Sequence, residues 1–113
     1  MLNQALSVDP VFQALADPTR RRIVERLGEG SATVKELARP LPMSLAGVLQ
    51  HLQVLQRAGL VTSEKHGRTR VCELDIARLE TLDQWIAARK RTVERRYDRL
   101  GEILDKEVKE QQK

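Results

Sequence analysis

The sequence predicts a mainly α-helical chain with one small β-hairpin and a long C-terminal helix. Three observations carry that prediction. Helix start signals followed by apolar residues at helical spacing recur through residues 1–59. Two short strand-like stretches, 60–65 and 70–74, flank the turn His66-Gly67-Arg68-Thr69. From Asp75 onward, apolar residues return at spacings of three, four or seven.

Residues 1–16 place Leu6, Val11, Phe12, Leu15 and Ala16 at roughly helical spacing, a first helix frayed at its start and open to a break at Pro10. Asp17-Pro18 restarts the chain. An aspartate accepts hydrogen bonds from the unpaired N–H groups of a first turn, and proline at the first helical position lacks only an N–H that has no helical partner. The second helix runs to about Leu27, with Ile23, Val24 and Leu27 inward and Gly28 and Gly30 ending it. Thr33-Val34-Lys35-Glu36 is a capping box that opens a short third helix burying Val34, Leu37 and Ala38. Pro40-Leu41-Pro42-Met43 forms a stiff turn, because proline disfavours helical geometry at the residue before it. Ser44 then caps a fourth helix in which Val48, Leu52 and Leu55 make one apolar stripe, and Gly59 stops it where a left-handed residue is needed. Two short helices joined by a tight turn are a helix-turn-helix, and a hairpin behind one, with Gly67 able to take positive φ, is a wing.

The expected architecture is a winged helix-turn-helix in a single domain, 1–113. It divides into an N-terminal helix (1–16), a helical core (17–59) with the helix-turn-helix at 33–59, the wing (60–74) and a C-terminal dimerisation helix (75–110). That last helix carries Leu79, Leu82, Ile86, Val93, Tyr97, Leu100 and Leu104, interrupted once by Arg89. It is on the order of 45 Å long, more than a small domain can cover. The simplest cover is a second copy of the same helix. The polar tail from Glu107 to Lys113 is expected to fray.

Composition narrows function. Twenty Lys and Arg against 16 Asp and Glu leave a net charge of +4, and basic clusters at 20–22, 65–70 and 89–99 favour a polyanion. With one Phe, one Trp and one Tyr, base stacking on aromatic platforms is a poor fit. The single Cys72 allows no internal disulfide and suits a reducing cytoplasm; no apolar run approaches a membrane span. Two His and one Cys, in different elements, make no nucleophile–base pair, and no phosphate-loop, dinucleotide or HExxH pattern occurs, so an enzyme is not expected.

The solvent face of the fourth helix is small and polar, with no acidic residue, which suits the major groove of double-stranded DNA. Ala46, Gly47, Gln50 and Gln53 are the expected base readers, since glutamine pairs bidentately with adenine and small residues permit close approach. Ser44 caps and touches phosphate, Leu45 lies at the same end, and His51 at the edge of the stripe either packs, bonded to backbone, or meets a phosphate. On the wing, Lys65, His66, Arg68 and Arg70 form a cationic patch, with Arg68 at its tip the minor-groove candidate. Consecutive Arg20, Arg21 and Arg22 cannot all face one way, so at least one makes a structural contact. Cys72 reads as a small buried hydrophobe. Leu6, Phe12, Leu82, Trp85, Ile86, Val93, Tyr97, Leu100 and Leu104 are the expected dimer interface, where a pocket beside Trp85 would also suit an unidentified small-molecule effector.

Leu15-Ala16-Asp17-Pro18-Thr19-Arg20-Arg21-Arg22-Ile23-Val24 resembles the second-helix opening of the ArsR/SmtB family of winged-helix repressors. Met43-Ser44, Val48, His51-Leu52, Val54-Leu55 and Ala58-Gly59-Leu60-Val61 resemble its recognition helix and the exit into the wing, and Gly67-Arg68 its wing tip. The resemblance spans residues 10–75. It implies a homodimer paired through first and last helices, binding an operator sequence-specifically, usually as a repressor and often of its own promoter. The region with Gln84-Trp85-Ile86 and Glu94 to Leu100 is similar to a subgroup without a clear inducing signal. Metal sensing is not implied. The third helix opens on Thr33-Val34-Lys35-Glu36-Leu37 instead of a Cys-x-Cys pair, the last helix has no His, and no cofactor is expected. Leu45 and Leu49 depart from the family's usual polar residues, which points to a different operator. They also support the alternative of a winged-helix dimer acting mainly through protein contacts or a small ligand, with weak DNA binding.

Overall fold

The computed structural model describes residues 8–111; Leu6 lies outside them. The first helix, α1 (Asp9–Leu15), has Pro10 in its first turn, so this proline begins the helix instead of breaking it. Val11 and Ala14 are fully buried, while Phe12 remains 41% exposed. In α2 (Pro18–Gly28) the Asp17 carboxylate accepts from the backbone N–H of Thr19 (2.8 Å) and Arg20 (3.1 Å). The Arg20 N–H bond is the main reason its carboxyl sits below the ordinary aspartate range. Gly28 is the last helical residue; the chain turns at Gly30, whose φ is +147°.

A short strand, β1 (Ala32–Thr33), was not expected from the sequence. Two residues are too few to show a period-two pattern, and they form a strand only because a partner lies 40 positions later. Thr33 then caps α3 (Val34–Ala38) through the expected box: its hydroxyl accepts from Glu36 N–H, and the Glu36 carboxylate accepts from Thr33 N–H, both at 3.1 Å. The proline turn does more than connect, because Leu41 is buried in it.

Ser44 caps α4 (Leu45–Arg57) by accepting from Gly47 N–H at 3.1 Å. Its other end is a Schellman motif: Leu60 N–H reaches Leu55 O and Gly59 N–H reaches Gln56 O, each at 3.0 Å, with Gly59 at φ +79°. Leu55 and Leu60, the apolar pair that accompanies this motif, are both fully buried. Two strands follow, β2 (Val61–His66) and β3 (Thr69–Leu74), in a sheet of order β1-β3-β2, antiparallel throughout. His66 and Thr69 belong to the strands, so the turn shrinks to Gly67-Arg68. Positive φ at Gly67 (+64°) and none at Arg68 is the φ pattern of a type II′ hairpin.

Asp75 ties the hairpin's exit to its base, its N–H donating to Leu60 O at 2.8 Å, and its carboxylate accepts from Ala77 N–H at 3.0 Å. The final helix, α5 (Ile76–Gln111), runs for 36 residues and passes Glu107 without ending.

Chain contacts divide the protein into one compact unit up to Leu82 and a second from Asp83 onward. The first is built on a core of α1, α2, α3, α4 and sheet residues centred on Ile23, Val48, Leu52, Leu55, Leu60 and Cys72, with Leu79 and Leu82 packed against it. The second is the remainder of α5, among whose residues none is buried. Among the described residues no helix is long and apolar enough to cross a membrane.

Candidate nucleic-acid interface

The fourth helix buries Val48, Leu52 and Leu55 and turns the complementary face outward. Ser44, Leu45, Ala46, Leu49, Gln50 and Gln53 are exposed; Gly47 and His51 are half-buried at its margin. No acidic residue lies between Leu45 and Arg57. Leu45 and Leu49 are 48% and 39% exposed, large values for apolar side chains on a helix whose other side fills a core. A Cβ built on Gly47 would meet nothing nearer than Ser44 Oγ at 3.5 Å, ordinary van der Waals contact. The fold therefore does not need glycine at this position in the first turn of α4, where alanine would fit and is the better helix former.

The wing sorts its charges by strand periodicity. Val61, Ser63 and Lys65 on β2 share a face with Leu74, Cys72 and Arg70 on β3, buried at its base and cationic toward its tip. The other face carries Glu64 and Glu73, with Glu64 Oε2 3.4 Å from His66 Nε2. The cationic face is the one turned to α4. Ser63 Oγ accepts from Gln56 Nε2 at 2.6 Å and from Arg70 Nη1 at 3.0 Å, a chain that joins helix, strand and wing cation. Sequence reasoning missed Ser63 and Gln56. A serine in a strand and a glutamine on a helix carry no signal until docking brings them together. Arg68 is exposed in the turn. The outcome is one concave surface: the start of α3, α4 and the wing line a cleft of about 270 Å³, with Leu45 and Leu49 beside Lys35, Arg68 and Arg70.

Two of the three consecutive arginines, Arg20 and Arg21, make structural contacts. Arg20 Nε donates to Ala14 O (2.7 Å) and Nη2 to Gln13 O (3.2 Å), while Arg21 Nη1 donates to Leu15 O (2.8 Å). Together they bond carbonyls of the last turn of α1, of which Gln13 O also accepts from Ala16 N–H at 3.3 Å. His51 is bonded to a side chain, contrary to the expected backbone bond: its Nδ1 lies 3.3 Å from Arg20 Nη1.

Cys72 is completely buried, and burial pushes its thiol up from the ordinary range despite the nearby Arg70, so it is a poor nucleophile. Of the apolar residues expected to pair between copies, Leu82 is half-buried on its own core, while Trp85, Ile86, Val93, Tyr97, Leu100 and Leu104 are exposed. Arg89, which interrupts the stripe, places its guanidinium 4.8 Å from the Trp85 ring centroid. Among the described residues no group of three or more His, Cys, Asp or Glu could hold a metal ion.

Comparison with known proteins adds to this geometry. Residues 15–64 match the model of a helix-turn-helix domain family. Over 76 residues the chain is 53% identical to the HTH-type transcriptional regulator Rv2034 of Mycobacterium tuberculosis, covering 67% of this chain and 71% of the relative. It is similar to the solved ArsR-like transcriptional regulator from Rhodococcus sp. RHA1, with a TM-score of 0.77 and 32% identity over 87% of this chain and 90% of that one. It is also similar to the homodimeric winged helix-turn-helix DNA-binding domain from Mycobacterium bovis, with a TM-score of 0.60 and 32% identity over 72% of this chain and 78% of that one.

Proposed function

The chain belongs to the ArsR/SmtB family of helix-turn-helix transcriptional regulators, and from that premise we propose that it is a homodimeric repressor of an imperfectly palindromic operator in double-stranded DNA. The observation that carries this reading is the acid-free, outward face of α4, continuous with the cationic face of the wing around one cleft. In this reading α4 lies in the major groove with Ala46, Gly47, Gln50 and Gln53 at base edges and Leu45 against thymine methyls. Ser44 and His51 meet phosphates, Lys65 and Arg70 track the backbone, and Arg68 enters the minor groove. The glycine that the fold does not require at 47 is explained by close approach to the bases. Two half-sites lie about one helical turn apart. The dimer closes through Phe12 and the exposed face of α5, and the protein works on DNA in the cytoplasm.

The test is binding of the purified protein to the DNA upstream of its own gene at two salt concentrations, with unrelated DNA as competitor. Operator reading requires binding that survives competitor and weakens with salt. Arg68→Ala should weaken binding across sequences and flatten the salt slope, whereas Gln50→Ala should relax preference at one base step. Gly47→Ala should fold at least as well as the parent and bind the operator less tightly. A reporter driven by that promoter gives the sign of regulation: repression requires higher output when the protein is removed. Loss of all binding to equal amounts of unrelated DNA at this promoter and at others would defeat the reading.

A further inference from the structure

Arg20 joins three elements with one side chain. It stands in the first turn of α2, holds the carbonyls of Gln13 and Ala14 at the end of α1, and reaches His51 on α4. Arginine has donors only, so at 3.3 Å the His51 Nδ1 must be the acceptor and the ring proton must sit on Nε2. An imidazole in water has both tautomers available; the bond at one nitrogen decides which is present. No partner for Nε2 exists among the described residues. His51 lies four residues beyond Gly47 and seven beyond Ser44, which places the three on one side of α4. The charged groups around the ring are the Arg20 guanidinium and the Asp17 carboxylate, both at the start of α2.

We infer that Arg20 is a positioning residue for DNA binding. It holds His51 as the Nε2–H tautomer, a neutral donor for a DNA phosphate, and couples that donor to the end of α1. The inference rests on the operator-binding reading above. If Arg20 served only to satisfy the α1 carbonyls, its removal would loosen the fold without altering the chemistry of His51.

Two measurements on the full chain decide this. The first is a long-range ¹H–¹⁵N spectrum of the imidazoles, which is simple because the chain has only two histidines. His51 should show a bare Nδ1 and a protonated Nε2 in the parent, and a mixture of tautomers in Arg20→Gln. The second is operator affinity. Arg20→Gln should weaken binding about tenfold, the size of one lost hydrogen bond to a charged group. His51→Asn, which keeps an acceptor near the Nδ1 position and removes the donor, should weaken it by the same factor. The double variant should be no weaker than either single. Arg20→Lys, which keeps the charge but not the three-way geometry, serves if Arg20→Gln does not fold. A protonated Nδ1 in the parent, or losses that multiply to about a hundredfold in the double variant, would overturn the inference. If the parent binds no operator at all, the operator reading fails, and the tautomer spectrum still decides what Arg20 does to His51.

Discussion

Between Val8 and Leu82 the chain buries a core of apolar side chains, with Val11, Val48, Leu55 and Leu60 entirely removed from solvent, and leaves only a few, Phe12, Leu45, Leu49 and Ile76 among them, exposed. From Asp83 onward it covers none, although Ile86, Val93, Leu100 and Leu104 repeat as regularly as any core stripe. Both regions follow the same rule, that one face of a helix is apolar. They differ in what the rest of the chain supplies. Around α4 there are three other helices and a sheet, whereas distal α5 is a single helix with no buried residue. A regular apolar stripe therefore reports that a surface will be covered, without saying whether the cover is intramolecular.

The sharpest way to break this contrast is to make equivalent changes on each side of it. Leu55→Ala removes a fully buried side chain and should destabilise the monomer fold by about 2–5 kcal/mol, read as a lower midpoint in urea. Leu100 and Leu104 are 49% and 51% exposed. Replacing both by glutamate should leave the melting of the globular unit in place and raise the dimer dissociation constant about a hundredfold, close to 3 kcal/mol. Sedimentation equilibrium checks it; a variant that keeps the parent's mass at all concentrations would remove distal α5 from the dimer.

Smaller effects test how local signals are backed by packing. Gly59→Ala meets two penalties, a φ of +79° and the Arg78 side chain, whose Nε would stand 2.6 Å from the new Cβ. A loss of about 1–2 kcal/mol is expected from the backbone alone, with more if Arg78 cannot move. An unchanged denaturation midpoint would show that the Schellman turn relaxes. Asp17→Ala should cost about 1 kcal/mol at neutral pH as a lost helix cap. Because the folded-state pKa of Asp17 is lowered, that stabilisation is present above its unfolded value and is lost as pH falls through the folded one. The gap between parent and variant should therefore close below about pH 4. A gap that persists into acid would mean that the carboxylate's charge plays no part.

Much of the frame was legible before any coordinates. Asp17-Pro18, the Thr33–Glu36 box, Ser44 and Gly59 each specify a helix end through groups within five residues of one another, and Gly67 specifies the hairpin in the same way. The outward face of α4 followed from the same periodicity that placed Val48, Leu52 and Leu55 inside. Docking alone decided the rest. The pairing of Ala32 with Cys72, the burial of Leu41, the Gln56–Ser63–Arg70 chain and the reach of Arg20 to His51 all depend on where separate elements come to rest. The sequence alone determined the ends of the helices and which of their faces are apolar, because caps and periodicity act over a few residues. Which polar side chains meet was left to the tertiary structure, because a hydrogen bond between distant residues forms only at a separation and angle that no local pattern encodes.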